Sequence, residues 1–189
     1  MTVSYVERDQ ANTETLAFYD RSEERFQALL NIFKVFGHQS EYGTVFTDTI
    51  MAILKDSALD WKTKELLILK ATQNNDCQYC VVQHERVSNM LGISDEKIAD
   101  LEGEKYKTSE LYTEGERALL DFTVQIGKDA NRVSKGLWDR LHEHWTDAQI
   151  VDAAFVITTY IAVSKFGDAL GVELEPMFDG VDPILKVAH

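Results

Sequence analysis

Proline is nearly absent from this chain: of 189 residues only two are proline, Pro176 and Pro183, and ten are glycine. So few chain breakers favour long helices over many short strands joined by turns. Basic residues are also scarce, with 19 Lys and Arg against 32 Asp and Glu, a formal net charge of −13. A chain this acidic, without a dense cationic cluster, argues against nucleic acid and anionic membrane surfaces as partners. No export signal is visible, because Glu7 and Asp9 fall where its apolar segment would lie, and a cytoplasmic location is expected. Residues 153 to 164 form the longest uncharged apolar stretch, between Asp152 and Lys165, and fall short of the roughly 20 residues that span a bilayer. They read as a buried helix. Cysteine occurs twice, at Cys77 and Cys80, and in a reducing compartment a CxxC pair points to redox or metal chemistry more than to a structural staple.

What is present is the composition of an ordinary globular protein, 44% apolar and 27% charged, with helical hydrophobic spacing nearly throughout. One amphipathic helix is expected from Ser22 to Phe36, and another follows Gly43 and carries Phe46, Ile50, Ile53 and Leu54. Asp60 should cap a third helix, whose run Leu66-Leu-Ile-Leu69 is too continuous for a surface position. The polar cluster Gln73-Asn-Asn-Asp76 should turn the chain, with Asp76 capping a fourth helix from Cys77 to Leu91 and Gly92 ending it. Ser94 should cap a short helix through Leu101, residues 103 to 109 read as a linker or mobile loop, and Ser134 opens a helix through Trp145. Thr113 with Glu116 and Thr146 with Gln149 form capping boxes, the second opening a very apolar helix that Gly171 closes. The expected organisation is an N-terminal arm (1 to 21), a helical domain (22 to 171) and an extended C-terminal arm (172 to 189).

On a regular helix Cys77, Cys80 and His84 fall within a wedge of about 60°. The thiols would then occupy the first turn, where unpaired N–H groups and the helix dipole favour a thiolate. A thiol of pKa about 8.5 is only about 3% ionised at pH 7, and lowering it by about two units, worth roughly 2.7 kcal/mol, makes it about 75%. His84 lies one turn after Cys80 and can take its proton, whereas the Asp76 carboxylate disfavours an anion on Cys77. Cys80 is therefore the candidate attacking thiol and Cys77 the resolving one. If the third helix folds back at residues 73 to 76, Glu65 approaches the His84 end of the fourth, and a buried carboxyl beside an imidazole is a proton relay. Other readings of the pair are half a zinc site, a thioredoxin-type motif and inert buried cysteines. The thioredoxin motif follows a strand, and this one follows a helix. His38, His142, His144 and His189 read as surface residues, since 142 and 144 lie about 200° apart on a helix.

These residues carry a resemblance. Glu65, then Cys77-Gln-Tyr-Cys80, then Val-Val-Gln-His84, resembles the signature E-x11-C-x2-C-x3-H of the carboxymuconolactone decarboxylase and alkyl hydroperoxidase D superfamily. The similarity continues through Gly92 and into Thr146-Asp-Ala-Gln-Ile-Val-Asp and Phe166-Gly-Asp-Ala-Leu-Gly171, covering roughly residues 22 to 171. It implies an all-α bundle of about seven or eight helices that assembles into a homo-oligomer, a dimer, trimer or hexamer. It also implies a peroxidase in which Cys80 attacks a hydroperoxide, Cys77 closes a disulfide, and Glu65 with His84 relays protons, without metal, haem or flavin. An external dithiol, a lipoyl or thioredoxin-like protein, would regenerate it. The resemblance departs at Tyr79, where the alkyl hydroperoxidase D proper has a second histidine, so Tyr79 is a candidate to pack beside the thiols or bind a substrate oxygen. Two alternatives stand beside this reading: a lactone decarboxylase using Glu65 and His84, and a non-catalytic thiol sensor.

Overall fold

Helices begin where the sequence offers a side-chain cap. In a computed structural model, which describes residues 2 to 187, Asp60 accepts the Thr63 N–H and opens a helix, and Ser94, Thr113, Ser134 and Thr146 act likewise. Both capping boxes form. The described residues contain nine α-helices and no strand: α1 (Thr13–Phe26), α2 (Asn31–Phe36), α3 (Ser40–Ile53), α4 (Trp61–Asn74), α5 (Gln78–Met90), α6 (Asp95–Ala99), α7 (Glu114–Asp129), α8 (Lys135–His144) and α9 (Asp147–Leu170). Helix α4 is the axis, packed against α5, α7 and α9. Its apolar run explains this, since Leu66, Leu67, Ile68 and Leu69 face different directions and all are buried.

The 24-residue α9, with a mean hydropathy of 1.4 over its most apolar window, is long and apolar enough to cross a membrane by length and composition, and half of that window is buried inside this fold. Gly171, left-handed at φ 65°, ends it. A buried ion pair fixes α9 to α4. The Lys64 ammonium is fully buried, 3.3 Å from Asp152, and donates to the Ile53 and Lys55 carbonyls and the Ser57 hydroxyl. Burial alone would raise the Asp152 pKa, but the Ser57 hydroxyl, the Leu59 N–H and Lys64 together hold it below the usual carboxylate range. A depressed carboxylate stabilises the fold above its unfolded pKa of about 3.9, and that contribution is lost as pH falls through the folded value. Asp152→Asn is expected to lower unfolding free energy by about 3 kcal/mol at neutral pH, read from urea transitions, because it strands the buried ammonium.

Several expected boundaries shift. Residues 1 to 21 are not simply an arm, since Asn12 accepts the Thr15 N–H and starts α1, whose Phe18 and Tyr19 are buried. The helix expected from Ser22 to Phe36 is broken after Phe26, where Gln27 turns left-handed at φ 59°. Residues 103 to 109 are no linker: Lys105–Lys107 is a 3-10 turn with Tyr106 fully buried and bonded to Asp121. The C-terminal segment is tied down rather than free. Glu85 of α5 accepts the Ile184 and Leu185 N–H groups at 3.0 and 2.6 Å, and Leu185 is fully buried. His38, His142 and His144 lie at the surface as expected, and His189 falls outside the described residues.

Candidate active site

The turn between α4 and α5 sets the site. Asp76 takes a left-handed φ of 57°, a conformation that Asp tolerates better than most residues, and the chain reverses there. That strips Asp76 of the expected capping role. Cys77 is the N-cap instead, with an extended backbone, and its sulfur accepts the Cys80 N–H at 3.4 Å. The helix-wheel placement of Cys77 is thereby corrected, since it stands before α5 rather than in its first turn. The two sulfurs are nevertheless 2.8 Å apart, and both cysteines are free and buried.

The reversal folds α4 back along α5 and brings Glu65 to His84. The Glu65 Oε2 lies 2.7 Å from His84 Nδ1, and the Trp61 indole N–H donates to Oε1 at 2.7 Å. Glu65 is fully buried with both oxygens engaged, which fixes the imidazole and leaves Nε2 as the nitrogen free to exchange a proton. The ring of Tyr160 packs edge-on against His84, with centroids 4.7 Å apart. Burial, then Glu65 and Cys80, push the Tyr160 hydroxyl well above its ordinary pKa, so it stays a neutral phenol.

Cys80 and His84 line one cavity of about 90 Å³ with Phe26, Leu30, Phe33 and Tyr160. Cys77 is absent from that lining. The surroundings do not give Cys80 the low pKa expected at a helix start: the Cys77 side chain and burial push its thiol well above the ordinary value, against which the Ser164 hydroxyl at 3.8 Å acts weakly. Cys80 is thus a thiol at rest, and ionising it calls for a base.

Tyr79, the candidate to pack beside the thiols or bind a substrate oxygen, lines the same cavity as Cys80. Its hydroxyl is committed elsewhere, donating to Glu175 at 2.9 Å. Glu175 also accepts the Asn31 N–H at 2.7 Å and the Gln83 amide at 2.5 Å, so a buried carboxylate of the C-terminal segment braces the first turns of α5. Sequence reasoning missed Glu175, Trp61, Tyr160 and Ser164. Trp61 was findable as the i−4 neighbour of Glu65, and Tyr160 with Ser164 as polar residues one turn apart in an apolar helix. No spacing rule reaches Glu175.

Residues 40–106 match the Carboxymuconolactone decarboxylase family. Over 118 residues, 62% of this chain and 79% of the relative, the chain is 25% identical to the uncharacterized protein YdfG of Bacillus subtilis (strain 168). Its fold is that of an uncharacterized peroxidase-related protein from Ralstonia eutropha JMP134 with an alkylhydroperoxidase AhpD core (TM-score 0.81, 20% identity, covering 94% and 93% of the two chains). The debrominase Bmp8 is also similar (TM-score 0.77, 18% identity, 92% of each chain). Through residues 40–106, and with the shared fold, these comparisons support the carboxymuconolactone decarboxylase and alkyl hydroperoxidase D superfamily. The likeness to the solved structures is a likeness of all-α fold. The match to the carboxymuconolactone decarboxylase family covers α3, α4, α5 and α6, and so includes Glu65, Cys77, Cys80 and His84.

Proposed function

We propose that the protein is a thiol-dependent peroxidase acting on organic hydroperoxides. The observation that carries this reading is the placement of two free sulfurs 2.8 Å apart, one of them in an apolar cavity beside a carboxylate-bound imidazole. As a hydroperoxide enters, His84, oriented by Glu65, takes the Cys80 proton, and the sulfur attacks the distal oxygen. The O–O bond breaks, the alkoxide takes that proton to leave as an alcohol, and Cys80 becomes a sulfenic acid. Cys77 then displaces water to form the disulfide, which a disulfide of about 2.05 Å allows with under about 1 Å of sulfur movement. The dithiol supplies both electrons, so the cycle calls for no metal, haem or flavin. A cytoplasmic dithiol of lipoyl or thioredoxin-like chemistry would restore the thiols, and a homo-oligomer is the expected assembly.

The apolar cavity walls favour an alkyl or aryl hydroperoxide over hydrogen peroxide. The same walls, with the likeness to a debrominase, favour a second reading in which the dithiol delivers its two electrons to a carbon–bromine bond, releasing bromide and the reduced arene. A lactone decarboxylase would use Glu65 and His84 but leave the paired thiols idle. Turnover of cumene hydroperoxide, hydrogen peroxide and a bromopyrrole with dihydrolipoamide or reduced thioredoxin separates these readings. The expected result is fastest loss of cumene hydroperoxide; bromide release without hydroperoxide loss would replace the first reading with the second.

A further inference from the structure

The proposed cycle requires Cys77 to lose a proton as it attacks, and the base serving Cys80 does not face it. Cys80 and His84 share the apolar cavity, whereas Asp168, on the last turn of α9 and one turn beyond the Ser164 that contacts Cys80, shares a cavity with Asp76 and Gln78, the chain neighbours of Cys77, and its carboxylate interacts with the Cys77 thiol. Asp168 is exposed and lines a second, polar cavity of about 340 Å³ with Asp76, Gln78, Glu173 and Tyr79. Tyr79 lines both cavities and stands between them.

Building on the peroxidase reading, we propose that Asp168 is the catalytic base for the resolving thiol, taking the Cys77 proton during disulfide closure and passing it to solvent in the polar cavity. The Cys77 S–H bond breaks towards the Asp168 carboxylate, and the freed electron pair forms the S–S bond to Cys80. The Cys80 S–O bond breaks, and its oxygen leaves as water with a proton that His84, left neutral when the alcohol departed, takes up from solvent, matching the one released through Asp168. The two thiols then exchange protons through opposite faces of the site. Burial and the neighbouring Asp76 raise the Asp168 pKa, and the Cys77 thiol and Lys165 lower it; the net rise makes it a stronger base than an ordinary aspartate.

The test separates proton acceptance from mere charge, because the two have opposite signs. A nearby anion disfavours a thiolate, so if Asp168 were only a charge, D168N would speed Cys77. The expectation is the reverse: D168N leaves Cys80 oxidation by cumene hydroperoxide within about 3-fold and slows disulfide closure about 10- to 100-fold. The sulfenic acid then becomes trappable by dimedone with Cys77 present, and D168E restores closure. In a Cys80→Ser background, D168N should slow the reaction of Cys77 with an aromatic disulfide reagent about 10-fold. Unchanged or faster closure and Cys77 reactivity in D168N, or no rescue by D168E, overturns the assignment. If the unsubstituted protein forms no sulfenic acid, the peroxidase reading fails, while the reaction of Cys77 in the Cys80→Ser protein still decides the role of Asp168.

Discussion

Cys80→Ser is expected to reduce hydroperoxide turnover by on the order of 10⁴-fold or more, to the background rate. The hydroxyl that replaces the thiol fits the same space but is far less acidic and less nucleophilic, and no other thiol lines the apolar cavity. Cys77→Ser should give a different phenotype: one rapid turnover that stops at a sulfenic acid on Cys80, detectable as a dimedone adduct at that residue. The contrast matters because acidity does not single out Cys80: the Cys77 side chain and burial raise its pKa, and its backbone N–H is given to the Cys77 sulfur. Access decides in favour of Cys80 as the attacking thiol. A sulfenic acid trapped on Cys77 in Cys80→Ser, with none on Cys80 in Cys77→Ser, would reverse the two roles.

Glu65→Gln is expected to lower the rate of Cys80 oxidation by about 10²- to 10³-fold with little change in fold. The amide is nearly isosteric and still offers one oxygen, but the other oxygen becomes an NH₂ group. If the oxygen stays with Trp61, that NH₂ faces His84 Nδ1, which forces the imidazole into the wrong tautomer or out of line. Because Glu65 acts through His84, the pH profile is the decisive readout. Loss of the relay should leave a rate that climbs with pH as hydroxide ionises Cys80 directly, whereas a purely structural defect would scale the whole profile down without changing its shape. An unchanged oxidation rate in Glu65→Gln would remove the relay from the mechanism.

The caps were the part of the fold most legible in the sequence. Asp60, Ser94, Thr113, Ser134 and Thr146 each open the helix expected of them, because an N-cap is a local interaction spanning three residues. Reversal at residues 73 to 76 was legible for a similar reason, and with it the meeting of Glu65 and His84. Asp76 and Cys77 misled because two strong local signals competed. Aspartate is the better cap by preference, but the reversal needs a left-handed residue, and Asp76 supplies that instead. Phe18 and Tyr19 of α1 were lost in a polar N-terminal stretch, since their burial depends on α2 and α3 arriving from later in the chain. Asp168 and Glu175 were beyond reach for the same reason. Each acts on α5 from about 90 residues away or more, through contacts that only the closed fold creates.

Anaerobic titration of the fully reduced protein with cumene hydroperoxide, counting free thiols and intact peroxide together, tests the central claim most directly. The account predicts that one equivalent of peroxide is consumed while titratable thiols fall from two per chain to none, with cumyl alcohol as product and both thiols recovered on adding dihydrolipoamide. Two thiols still titratable beside undiminished peroxide would contradict it.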